Sequence, residues 1–540
     1  MTQRADFDDL LSEYPDEGPY PPAPNGSRLD DWWQSRSPRL RSVLRWGAPA
    51  VVVVIAAFAR LWNLGYPREL VFDETFYVKD AWTLVNLGYE SRWPAEADTL
   101  FAAGQTDVFL TDPSFVVHPP LGKWLIGLGM FVVGPDNPVG WRITTAIAGI
   151  LAVILIMLIA RALFHSTALA TVAGFLFAIE GNAIVMSRVG LLDNWVMLFA
   201  LLGFGAILLD RQWSAVRLAA WIARREKFGK SMDWGPALWN RPWLLAAGAA
   251  FGATAAVKWS GLYFLAAFAI YTLVVDALAR RRAGIGFWAS GTVLTQAPVT
   301  FLLTVPVALG VYLSTWVTWF VGGTGYSRHW AEEAGNAWTG VLAWVPLSVQ
   351  SFWHFESAVY GYHLGESRPH SYQANPLTWL FMVRPTSMWY QSSSLGESGC
   401  QWDSCGASIT GIANPLIWWA AAAIFYLVYR LARFREWRVG LVLMGLVAGY
   451  APWLLYLNRT VFQFYAIAFE PYLILGLTAV IGIIVGDRGD HRDRRTSGLR
   501  ILAIFLVAAT AVSVFYWPLW TGMTLDYNYL RAHWWLPSWR

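Results

Sequence analysis

Charge is scarce in this sequence. Only 14% of its 540 residues are Asp, Glu, Lys or Arg, while 56% are hydrophobic. A water-soluble domain carries about 25% charged residues, so the deficit excludes a soluble globular protein. Cysteine is nearly absent: Cys400 and Cys405, both in one polar stretch, are the only two. That excludes a disulfide-rich scaffold, and a metal centre needs more ligands than two thiols. If the stretch faces an oxidising compartment, the two are close enough to pair. No internal repeat of fixed period is found, which counts against a transporter, many of which are built from repeats. No signal peptide is expected either. The residues before Val43 are polar, first acidic and then arginine-rich around a Pro-rich run, and no small-residue cleavage site follows the first apolar run. Residues 1–42 are expected to form a disordered cytoplasmic tail.

Long apolar runs are plentiful. A membrane-spanning helix needs about 20 mostly apolar residues. Eleven segments qualify, at roughly 43–63, 141–163, 167–187, 190–210, 242–258, 260–279, 291–315, 411–431, 438–457, 465–486 and 500–520. Together with 34 tryptophans, which gather where a bilayer meets water, they describe an all-α polytopic membrane protein. With the N-terminus placed in the cytoplasm, the arginine-rich loops at 211–241, 280–290, 432–437 and 487–499 all fall on the cytoplasmic side, the positive-inside pattern. An odd number of spans then puts the C-terminus outside. Two outer loops are long, about 64–140 and 316–410. Each holds apolar stretches too short to span, around Pro119–Leu128 and Trp338–Phe355, which suit interfacial helices. The expected organisation is the tail, a transmembrane module at 43–315, the second long loop at 316–410 and a four-helix region at 411–540.

Ionisable residues at membrane depth are costly and usually have a partner or a task. Arg60, Asp73, Glu74, Lys123, Arg142, Glu180, Arg188, Asp193, Lys258, Arg459 and Glu470 all fall at or beyond the outer ends of the spans, which suggests one polar cavity at the outer interface. In Phe72-Asp73-Glu74-Thr75, an adjacent carboxylate pair has pKa values that repulsion drives apart, and the ionised member can accept a proton from an attacking hydroxyl. The same dipeptide also suits an ordinary helix N-terminus. In His118-Pro119-Pro120-Leu121-Gly122-Lys123 the prolines start a helix, and Lys123, one turn in, is placed either to bind a lipid-linked phosphate or to snorkel at the interface.

Taken together, Arg60, Asp73-Glu74, the His118–Lys123 motif, Leu191-Leu192-Asp193 after Arg188, and Val257-Lys258-Trp259-Ser260-Gly261 resemble the protein O-mannosyltransferase family, in an actinobacterial form. The resemblance covers the membrane portion from about residue 43 to the end. It implies a GT-C glycosyltransferase fold, a polyprenyl-phosphate-mannose donor, a Ser or Thr acceptor on proteins emerging from the secretion channel, and inversion at the anomeric carbon. Asp73 would be the base, with Glu74 beside it to position the acceptor or hold a basic neighbour. His118 and Lys123, with Arg60, Arg142, Arg188 and Lys258, would receive the donor phosphate, while Asp193 and Glu470 would serve the acceptor or a secondary role. No cofactor is expected, and no metal, since the acids lack a clustered ligand pattern. The family's β-trefoil domain is missing from the second loop, and the segment Phe462–Tyr472 departs from the histidine-tyrosine run of eukaryotic members. The alternatives are a GT-C enzyme acting on a glycolipid or cell-wall glycan, and a lipid-linked transporter.

Overall fold

The computed structural model describes residues 25–540. The chain is mostly helical. Among the described residues eight helices are long and apolar enough to cross a membrane: Pro38–Leu61, Pro138–Phe164, Asp193–Lys227, Gly261–Arg282, Trp288–Ser314, Pro415–Phe434, Trp437–Leu455 and Arg492–Thr521. A bent pair, Thr167–Ala178 and Gly181–Arg188, raises the number to nine if it forms one span. Pro242–Val257 and Glu470–Val485 lie where the sequence suggests two further spans, but are shorter. The protein is a multi-pass membrane protein.

Local chemistry sets the helix ends. Ser37 caps Pro38–Leu61 and Asn137 caps Pro138–Phe164, each followed by a proline whose missing N–H costs nothing at the first helical position. The bend of 61° between Thr167–Ala178 and Gly181–Arg188 falls at Ile179-Glu180, where the Glu180 carboxylate accepts from the Ala183 N–H at 2.9 Å and starts the second helix anew. Gly181 follows because a Cβ there would collide with the Trp520 ring and the Ile412 carbonyl. Asp193–Lys227, 35 residues long, is buried over its apolar first half and packs along Pro242–Val257.

Three features differ from the sequence expectations. The tail is folded where it is described: Ser27 closes a capping box on the helix Arg28–Gln34, and Arg495 holds Asp30 at 3.0 Å. Residues 1–24, also expected to be disordered, lie outside the described residues. In the second long loop the helix is Leu347–Gly365 rather than 338–355, because Pro346 sets its start. That loop also carries strands: Ser387–Ser394 pairs antiparallel with Ser404–Thr410, and Leu525–Asp526 adds the third strand on the far side. Cys400 and Cys405 are joined across the turn. Apart from this small sheet the all-α expectation holds.

Candidate active site

Asp73 and Glu74 open the helix Glu74–Leu87, and they are used differently. Glu74 is fully buried. Its Oε1 accepts from Arg142 Nε at 2.7 Å and the Gly190 N–H at 2.7 Å; its Oε2 accepts from Arg142 Nη2 at 2.8 Å and the Val71 N–H at 2.9 Å. Every strong acceptor direction is filled, so Glu74 is a structural clasp rather than a catalytic acid. Asp73 sits at the N-cap position, but its side chain makes no capping bond. The preceding Phe72 holds a left-handed backbone, φ 49°, sparsely allowed for a non-glycine residue, and its ring packs edge-on against Phe462, Phe464 and His370. Aromatic packing thus fixes the turn that turns Asp73 away from its own helix. Burial pushes the Asp73 carboxyl up to about 6, against the pull of Lys258, with Asp193 adding to the rise and the Tyr77 hydroxyl opposing it.

The three arginines expected at the donor phosphate are committed elsewhere. Besides Glu74, Arg142 donates to the carbonyls of Leu64, Pro67 and Glu69. Arg60 donates to Ser187 Oγ and to the carbonyls of Phe177 and Ala178 at a helix end, and Gly149 leaves the room this requires, since a Cβ there would meet Ser187 and Arg60. Arg188 donates to the carbonyls of Ala59, Trp62 and Asn63 where Pro38–Leu61 stops. The last carbonyls of a helix have no intrahelical donor, and these buried guanidinium groups supply one. Lys123 is also spent: its ammonium pairs with Glu90 and donates to the His118 carbonyl at 3.0 Å. It lies within reach of Asp80 as well, whose carboxyl burial pushes up to about 7, against the pull of Lys123. Glu470, expected to serve the acceptor or a secondary role, is fully buried and accepts from Asn182 Nδ2 at 2.9 Å.

What remains around Asp73 is a compact polar group. Asp193 begins one helix and Lys258 ends another, the ends at which the helix dipoles favour those charges. They pair at 2.7 Å, and the Lys258 ammonium also lies over the rings of Tyr77 and Tyr465. His118 stacks on His363 and leans on Tyr77. His363 Nε2 contacts the Val117 carbonyl at 2.9 Å, so that nitrogen carries the proton, and Nδ1 is left to accept from Arg459 Nη2 at 2.9 Å. The ring is neutral: burial, then the Arg459 charge, press the His363 imidazole down to about 4. Burial followed by Lys258 presses His118 down in the same way. Arg459 Nε has no partner among the described residues. A neutral histidine therefore aims a guanidinium whose remaining donors are unspent. Arg459 belongs to the polar set named from the sequence, but its pairing with His363, 96 residues away, is not visible there. Among the described residues, no three His, Cys, Asp or Glu side chains are grouped to hold a metal ion.

The helical membrane bundle thus holds the Asp73 carboxyl near Lys258 at one end. The fold is similar to that of the S. cerevisiae protein O-mannosyltransferase Pmt1-Pmt2 complex bound to the sugar donor, with TM-score 0.67 and 16% identity over 97% of each chain. A family model described as dolichyl-phosphate-mannose-protein mannosyltransferase matches residues 50–319, and one for the C-terminal four TMM region of protein-O-mannosyltransferase matches 348–539. A polyprenol-phosphate-mannose--protein mannosyltransferase of Mycolicibacterium smegmatis is 31% identical over 92% of this chain and 93% of its own length. A protein of the same name from Corynebacterium glutamicum is 29% identical over 97% of this chain and 96% of its own. The chain belongs to the protein O-mannosyltransferase family and is a glycosyltransferase.

Proposed function

We propose that the protein transfers mannose from polyprenyl-phosphate-mannose to Ser or Thr hydroxyls of exported proteins, on the outer face of the cell membrane, with its N-terminus in the cytoplasm. The relatives' names and their near-complete coverage support the donor and acceptor classes. The observation that carries the chemistry is the contrast within Asp73-Glu74: Glu74 is fully bonded, while Asp73 is uncapped and near Lys258.

In this reading the Asp73 carboxylate accepts the hydroxyl proton as the acceptor oxygen bonds to C1 and the C1–O bond to the phosphate breaks. The phosphate leaves with the electron pair, on the face opposite the base, so the anomeric centre inverts. The leaving group needs positive charge more than a proton. Arg459, aimed by His363, supplies that charge, while Lys258, held by Asp193, favours the ionised form of Asp73. Arg60, Arg142, Arg188 and Lys123 hold the scaffold that positions them. The deciding experiment is transfer of radiolabelled mannose from a polyprenyl-phosphate donor to a Thr-rich peptide by the purified enzyme. Label appearing in a lipid or glycan acceptor and not in peptide would reject the protein-acceptor reading.

A further inference from the structure

At the far ends of Pro38–Leu61 and Pro138–Phe164, away from Asp73, the helices part around a cavity of about 2030 Å3. Its inner walls are apolar, including Val52, Val172, Leu502 and Leu506, and its mouth is lined by seven arginines. Four of these have carboxylate partners: Arg430 with Glu436, Arg494 with Asp490, and Arg488 and Arg495 with Asp30. Arg45, Arg161 and Arg438 have none among the described residues, and they come from three different helices. Among the described residues Asp487 is the one lining carboxylate outside these pairs, and positive charge is in excess there. Trp46 and Trp437 lie under the guanidinium groups of Arg161 and Arg438 at 4.9 and 5.2 Å, which holds two of the three in place.

We propose that this cavity is a binding site for an anionic glycerophospholipid of the leaflet opposite the candidate active site. The acyl chains lie along the apolar walls and the phosphate sits among Arg45, Arg161 and Arg438. Charge complementarity selects the headgroup: basic pockets between membrane helices bind anionic lipids. A phospholipid fits better than the sugar donor because the void is broad and walled by several helices, and because it lies at the wrong ends of those helices to serve Asp73.

The test is native mass spectrometry of the purified full chain, offered phosphatidylglycerol and phosphatidylcholine of equal chain length. The wild type is expected to retain phosphatidylglycerol at least about tenfold over phosphatidylcholine. The triple variant Arg45→Gln, Arg161→Gln, Arg438→Gln is expected to lose that preference. Arg281→Gln with Arg282→Gln, on the same arginine-rich side but outside the cavity, is expected to keep it. The single variants Arg161→Gln and Arg438→Gln are each expected to weaken the preference and decide the matter if the triple variant does not fold. Equal retention of the two lipids by the wild type, a preference surviving the triple variant or undiminished in both single variants, or displacement of phosphatidylglycerol by polyprenyl phosphate would each overturn the proposal.

Discussion

Glu74 binds Arg142 through paired hydrogen bonds of 2.7 and 2.8 Å, and that clasp separates two adjacent carboxylates into different trades. A bidentate carboxylate–guanidinium pair fixes both position and direction, so Glu74 anchors the start of its helix while Asp73, one residue earlier, is left with no arginine partner, near Lys258 and the Tyr77 hydroxyl.

Asp73→Asn is expected to abolish mannosyl transfer, by roughly a thousandfold or more, consistent with loss of a general base. It should not weaken the fold. The Asp73 carboxyl is raised to about 6 from an ordinary value of 3.8. Its contribution to stability is therefore fully present below about pH 4 and is lost as pH rises through 6, a penalty of about 2–3 kcal/mol at neutral pH. Thermal unfolding should show the variant at least as stable as the wild type at pH 7.5, with no advantage at pH 4. A well-folded Asp73→Asn enzyme with near-normal transfer would dismiss Asp73 as the base.

The same carboxyl sets the acid limb of the rate. Activity is expected to rise about tenfold per pH unit below pH 6 and to level off above it, because only the ionised form accepts the acceptor proton. Initial rates from pH 5 to 8 at saturating donor measure this. A flat profile would assign the proton to another group.

Glu74→Gln tests the clasp. Breaking a buried ion pair by removing one partner costs about 3–5 kcal/mol, so this variant should lose folded yield and melt well below Asp73→Asn, although the two positions are adjacent. Arg142→Lys should fail similarly, because an ammonium cannot reproduce the fork or reach the three loop carbonyls. Size-exclusion profiles and melting curves in detergent report both; a Glu74→Gln protein as stable as wild type but inactive would return Glu74 to the chemistry.

Arg459→Ala is expected to raise the KM for the lipid donor by about tenfold to a hundredfold, in line with a lost charged hydrogen bond of 1.5–3 kcal/mol, with a nearly unchanged melting temperature. Arg459→Lys should recover part of the loss. His363→Ala, which removes the residue that aims Arg459, should show a weaker version of the same defect. Donor saturation that is the same in all three would remove Arg459 from the phosphate site.

Much of the framework is legible in the sequence. The long spans follow from runs of about 20 apolar residues, and Asp73 stands out as a carboxylate just past the first span. The arginines are misleading for a physical reason. A buried guanidinium serving helix-end carbonyls and one serving a substrate phosphate look alike in sequence, because the carbonyls of Phe177, Ala178 or Trp62 belong to the backbone. Lys123 is obscured by Glu90, 33 positions upstream, and Arg459 by the distance to His363. The strands Ser387–Ser394 and Ser404–Thr410 are short and rich in serine, with little apolar alternation to announce them.

The helix Asp193–Lys227 has 35 residues, a length of about 52 Å at 1.5 Å per residue, against a hydrocarbon core of about 30 Å. It starts beside Lys258, and it is long enough for its last turns, bearing Arg224, Arg225 and Lys227, to clear that core as a stiff post. At its tip Gly229 has nothing within 4 Å of where a side chain would begin. The post thus offers a rigid, sterically open mounting point, well clear of the sugar-transfer end, for an inserted domain or a fiducial marker for imaging.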